Sequence, residues 1–241
     1  MTDEPVTDRW TFGVEPLSQT AEAATLLRRI AGLLVSLEAE DAAVDDLLAD
    51  LRRAESALAA IAPADPTPRV GPATEGDGRP YVDHARDVGS FNPCFPTYDI
   101  EVEGATATGS VTFPVAYEGP PGLVHGGFLG VFFDSVVQHH NCDVGVAGKT
   151  TSMTVRYRRP TPLLARLTFS IEREETDGRI RSRAQLLDGG DRVLCEAEVE
   201  AIAGDRAHGL AARRALRGAH GRHLAELVPL GRRRGRLARG P

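Results

Sequence analysis

The sequence predicts an α+β fold, with an antiparallel sheet wrapped around one long central helix and a helical extension ahead of it. Three observations carry this. From about residue 98 onward, apolar residues recur at every second position. One segment among these alternating runs, residues 125–141, is apolar on nearly every side. Residues 20–61 repeat instead with the period of a helix. Successive side chains of a strand point to opposite faces, whereas a helix turns every 3.6 residues or so, and the two periods separate the two kinds of element.

In the extension, Leu26, Ile30, Leu33, Leu34 and Leu37 fall on one stripe, and Val44, Leu48, Leu51, Leu58 and Ile61 on a second. Two amphipathic helices, in the simplest case a hairpin, follow from this. Each must hide its stripe on the other, on the main domain or on a second chain. Pro63, Pro66 and Pro68, and then GPATEGDGRP, end the helices and read as a linker. The expected organisation is a helical extension over 1–62, a linker over 63–90, the main domain over 91–204 and an Arg-rich tail over 205–241.

The main domain opens on a run in which Ala105, Ala107, Val111, Phe113 and Val115 alternate with Thr106, Thr108, Ser110 and Thr112. Met153, Val155 and Tyr157 alternate with Thr154, Arg156 and Arg158, and Leu167, Phe169 and Ile171 follow the same rule. So do Ile180, Ala184 and Leu186, and finally Val193, Cys195, Ala197, Val199 and Ala201 against Glu196, Glu198 and Glu200. Strands with one apolar and one polar face belong to an antiparallel sheet covered on one side. Asp177-Gly178 and Asp188-Gly189-Gly190 are good hairpin turns between the last three strands. The segment HGGFLGVFFDSVVQHHN at 125–141 is apolar all round, as a buried helix is. One buried helix wrapped by an antiparallel sheet is the hotdog arrangement.

Composition narrows the function classes. Hydrophobic residues make up 41% and charged residues 26% of the 241, ordinary for a globular protein. No segment is long and apolar enough to span a bilayer, and the acidic N-terminus MTDEPVTDRW is no secretory signal, so a cytoplasmic protein is expected. Cys94, Cys142 and Cys195 are too widely spaced for a disulfide framework or a zinc pattern. Residues 205–241 hold ten Arg against Asp205 and Glu226, a balance of +8 that leaves −14 on the rest of a chain whose total is −6. Such a tail suits nucleic acid or an anionic membrane surface, but a solvated tail is the simpler expectation. His139 and His140 are adjacent on the helix and point about 100° apart, so they do not chelate one ion, and no metal is expected.

Asp134 is the informative residue. It stands among Val131, Phe132, Phe133, Val136 and Val137, where an unpaired carboxylate is expensive. Composition alone leaves open a catalytic carboxylate, a surface Asp and one half of a buried ion pair. Gly126 and Gly127 begin the same helix, where the free N–H groups of a helix N-terminus stabilise an oxyanion. A tight loop-to-helix entry would also use Gly-Gly. The HGG tract is not that of a serine hydrolase, because no G-x-S-x-G elbow is present.

The run GPPGLVHGGFLGVFFD resembles the H-G-G-x6-D signature of PaaI-type hotdog thioesterases, and TTSMTVRYRRPTPL follows the helix at that family's distance. The pattern is most similar to thioesterase superfamily members 4 and 5 and to actinobacterial relatives, over roughly residues 98–203. The resemblance implies hydrolysis of an acyl-CoA thioester by a homodimer or dimer of dimers, without a cofactor. It implies that Asp134 is the nucleophile or general base and that the Gly126 N–H meets the thioester oxygen. His125 and Gly127 would shape that loop, and the Thr150 hydroxyl would position water or the carboxylate. Arg156, Arg158 and the stretch Arg179, Ile180, Arg181, Ser182, Arg183 and Ala184 would line the CoA site, with Phe128 and Phe132 against the acyl chain. Many PaaI-type enzymes carry an Asn where this chain has Gly119, beside Glu118, which implies a thinner oxyanion hole.

Period-two alternation puts Thr150, Arg156 and Arg158 on the face opposite Met153, Val155 and Tyr157, and Arg179, Arg181 and Arg183 on one face together. A guanidinium fits a phosphate through its fixed fork of donors, and an arginine row also suits a solvated outer face. Two other functions remain open: a hotdog dehydratase or hydratase, and a non-catalytic acyl-CoA-binding module of a regulator. Against the second, Arg28, Arg29, Arg52 and Arg53 make no basic recognition face among the acidic residues of 20–61.

Overall fold

The computed structural model describes residues 18–62, 88–143 and 148–203, all within one compact unit, Met1–Ala203. The linker expected over 63–90 lies outside the described residues up to residue 87, and the tail expected over 205–241 lies wholly outside them.

Three helices and six strands are present among the described residues: α1 (Ser18–Leu34), α2 (Ala42–Ile61), β1 (Tyr98–Glu103), β2 (Thr106–Thr112), α3 (Gly126–Asp143), β3 (Gly148–Tyr157), β4 (Arg166–Thr176), β5 (Arg179–Leu187) and β6 (Val193–Ala203). The strands form one antiparallel sheet in the order β1-β2-β4-β5-β6-β3, and α3 packs on its inner face. Asp177 and Gly178 both have positive φ, 51° and 72°, which closes the tight β4–β5 hairpin as Asp-Gly does in a type I′ turn. The alternating run that began at Ala105 ends as a strand at Thr112, since Pro114 precedes a short 3-10 turn at Val115–Tyr117.

The core lies between α3 and the sheet. Leu129, Phe132, Phe133, Val136 and Val137 of α3 are buried against Phe113, Leu167, Phe169, Ile171, Ala184 and Leu186. Burying each large apolar side chain contributes about 1.5–3 kcal/mol. Phe132 meets Tyr98, Phe113, Phe133 and Phe169 at ring-centroid distances of 5.3–6.2 Å.

Of the three partners expected for the leucine stripes, the other helix and the main domain do not cover them among the described residues. The helices do not dock through their leucine stripes: Leu26, Leu33, Leu34 and Leu37 are exposed, and α2 buries no residue. The face of α1 that docks carries Ala24 and Arg28. Arg28 donates to the carbonyls of Gly89, of Asn92 at 3.2 Å and of Phe95 at 3.2 Å. A folded turn with three inward carbonyls offers more to a guanidinium than to a leucine, so polar satisfaction sets the docked face.

A departure from expectation moves a site residue. Thr150 pairs with Ala201 and Ser152 with Glu200, so Thr151 is an extra residue in β3 relative to β6. Such a bulge reverses the facing of everything before it. Thr150 therefore joins Met153, Val155 and Tyr157 on the inner face instead of Arg156 on the outer one.

Candidate active site

The middle of α3 and the start of β3 meet at Asp134. The carboxylate is half-buried, and its Oδ1 accepts the Thr150 hydroxyl at 2.9 Å. That bond exists because the bulge turns Thr150 toward the helix. Thr150 also accepts from the Gln138 side-chain amide at 2.6 Å, one helical turn beyond Asp134. Gln138 was not singled out from sequence. The available signal was its i+4 spacing from Asp134, which puts both on one helix face.

At the N-terminus of α3, His125 and Gly127 act together. The Gly127 N–H donates to His125 Nδ1 at 3.0 Å, so His125 caps the helix and Gly127 is occupied. The Gly126 N–H bonds to nothing among the described residues, as expected of a first-turn donor. The carbonyl of Gly126 accepts the Tyr157 hydroxyl at 3.0 Å, and the Tyr157 ring lies so close that a Cβ on Gly126 would sit 3.0 Å from it. Gly119 is constrained similarly. A Cβ there would lie 2.8 Å from His125 Cα, so a bulkier residue cannot stand at 119 without moving the His125 backbone.

The structure does not gather the predicted substrate contacts into one surface. Arg156, Arg158, Arg181 and Arg183 lie on the outer face, each paired with a glutamate: Glu198 at 2.7 Å, Glu196 at 3.1 Å, Glu200 at 3.0 Å and Glu174 at 3.4 Å. Arg156 holds the Glu198 carboxyl below its ordinary value, first through the hydrogen bond and then through its charge. Arg179 makes no ion pair among the described residues. It borders an open groove of about 380 Å³ with Thr151, Arg181 and Glu200. Ile180, Ser182 and Ala184 turn inward and are buried, so they reach an outer-face ligand only through backbone. Phe128 is half-buried against Tyr117, and Phe132, expected beside it against the acyl chain, is fully enclosed in the core.

Three other reactive side chains are buried or already hydrogen-bonded. Burial pushes the Cys195 thiol up to about 11, so it is no nucleophile at neutral pH. His139 shares a hydrogen bond with the Tyr98 hydroxyl and His140 with the Gly104 carbonyl, in different directions. Among the described residues no three His, Cys, Asp or Glu side chains gather as metal ligands. No described helix is long and apolar enough to cross a membrane.

The fold is shared with a solved structure. The crystal structure of a thioesterase superfamily protein matches with TM-score 0.64 and 26% identity, over 79% of this chain and 94% of that one. This chain has the hotdog thioesterase fold. No family model matches it. Two further solved structures align over less than half of the chain. A hypothetical thioesterase of Streptococcus pneumoniae, solved with coenzyme A, is 17% identical over 44% of this chain and 88% of its own, at TM-score 0.42. The E. coli PaaI protein of the phenylacetic acid degradation operon is 14% identical over 45% and 80%, also at 0.42. Within the hotdog fold of this chain, the Asp134–Thr150 pair joins the middle of α3 to the start of β3, and Gly126 meets Tyr157 at the other end of that strand.

Proposed function

We propose that the protein hydrolyses acyl-CoA thioesters to a carboxylic acid and free CoA. The observation that carries this reading is Asp134 in the apolar stretch 131–137 of α3, half-exposed and held by a hydroxyl, with an N–H unused among the described residues at the start of the same helix. Asp134 attacks the thioester carbonyl or takes a proton from the water that does, and the Gly126 N–H receives the charge that develops on oxygen. The CoA thiolate leaves and is protonated, and water supplies the oxygen of the acid. Phe128 borders the acyl group.

The active unit in this reading is a homodimer. β3 is an edge strand of 10 residues with one side unpaired among the described residues. Val131, Met153 and Tyr157 are exposed along the adjoining seam. An apolar edge of this kind is suited to pairing with a second chain.

The test is release of free thiol from a panel of acyl-CoAs of different chain length. Saturable release that depends on Asp134 is expected. No release from any acyl-CoA would overturn the hydrolase assignment, and binding without release would favour the acyl-CoA-binding module in its place.

In the same reading the outer arginines exchange their glutamates for CoA phosphates. Arg158→Ala and Arg181→Ala are then expected to raise KM more than they lower kcat, because such contacts are equal in ground and transition states. Hydrolysis of a short thioester lacking the nucleotide should be nearly unchanged. Equal losses on both substrates would remove the arginines from the site.

A further inference from the structure

We infer that Gln138 is a positioning residue that directs the Thr150 proton onto Asp134, an inference that rests on the thioesterase reading above. The side chain is 3% exposed. Its Nε2 lies 2.6 Å from Thr150 Oγ1, which in turn lies 2.9 Å from Asp134 Oδ1. An amide N–H only donates and a carboxylate only accepts, whereas a hydroxyl has one proton and spare lone pairs. With Gln138 donating, the one arrangement that puts a proton in both contacts sends the Thr150 proton to Asp134. The opposite amide orientation would set two acceptors against a single proton.

The cost of this arrangement is visible. Gln138 Oε1 is buried and has no hydrogen-bond partner among the described residues. A buried amide oxygen without a partner is unfavourable, and a leucine or methionine would fill this helix position without it. What Gln138 supplies that an apolar side chain cannot is the donor to Thr150. Fixing Oδ1 in this way leaves the second oxygen of Asp134 to meet water or the carbonyl carbon, with the carboxylate plane held against rotation.

The test is a double-mutant cycle on thiol release, with wild type, Gln138→Leu, Thr150→Val and the pair, each checked for native circular dichroism and melting temperature. Gln138→Leu should lower kcat about ten- to a hundredfold, the loss expected from slight misplacement of a reacting group, with little change in KM. In the Thr150→Val background it should have no further effect, because the group through which Gln138 acts is gone. Gln138→Glu has the same shape and gives a second reading if the leucine variant does not fold. An ionised carboxylate at 138 competes for the Thr150 proton and a protonated one donates to it, so kcat relative to wild type should rise as pH falls. Unchanged kcat in Gln138→Leu, effects that multiply in the pair, or a Gln138→Glu pH profile parallel to wild type would overturn the role and leave the thioesterase reading intact. A wild-type protein that releases no thiol from any acyl-CoA would overturn both.

Discussion

Asp134→Asn is expected to lower kcat by about a thousandfold or more, the scale on which loss of a central catalytic group is felt, while acyl-CoA binding and melting temperature stay close to wild type. The asparagine has nearly the same shape, and its carbonyl oxygen still accepts the Thr150 hydroxyl that now bonds Oδ1. Packing around α3 is therefore preserved. An amide, however, neither attacks a thioester nor takes a proton from water. The measurement is single-turnover thiol release beside equilibrium binding of a slowly hydrolysed acyl-CoA. A variant with more than about a tenth of wild-type kcat would show that Asp134 is not the reacting group.

Gly126→Pro and Asp134→Ala, each inactive alone, are expected to recover activity when refolded together. The reason is geometric. Gly126 and Asp134 lie on one unbroken helix, α3, and eight residues of helix span roughly 12 Å. An oxyanion donor and an attacking carboxylate must both lie within about 3–3.5 Å of one thioester group. A single chain cannot bring its own pair to that distance, but a second chain across a two-fold axis can. Proline removes the N–H and is tolerated in the first turn of a helix. It also crowds the Tyr157 ring, which is 59% exposed and has room to move. In a mixed dimer with shared sites, one site takes both lesions and the other takes neither. Random pairing makes half the dimers mixed, so activity should return to roughly a quarter of wild type. No recovery, with mixed dimers verified by mass, would place each site within one chain.

The elements of this fold were legible because each is encoded in consecutive residues. Period-two alternation marks β4, β5 and β6, and Asp177-Gly178 marks the β4–β5 hairpin through the positive φ both residues adopt. The run 125–141 marks α3, and His125, Gly126, Gly127 and Asp134 mark the candidate chemistry because their spacing is short. The docked face of α1 was not legible. Its leucines are the stronger periodic signal, yet Arg28 finds carbonyls nearly seventy residues away in sequence. The arginine rows were visible, but their glutamates were not assigned to them, since Arg156–Glu198 and Arg158–Glu196 depend on which strands are neighbours.

Thr150 shows the division most sharply. By itself the sequence determined that β3 is a strand and that Asp134 is an exceptional residue on a buried helix. It also set the face assigned to Thr150, by counting in twos from Met153, and that assignment was reversed. A bulge belongs to the register between two strands, here one extra residue of β3 against β6, and no count along one strand can detect it. Only the tertiary structure decided that Thr150 turns inward, meets Asp134 and draws in Gln138. Periodicity records how neighbours along the chain face, whereas a hydrogen-bonded site joins residues whose facing is set by partners distant in sequence.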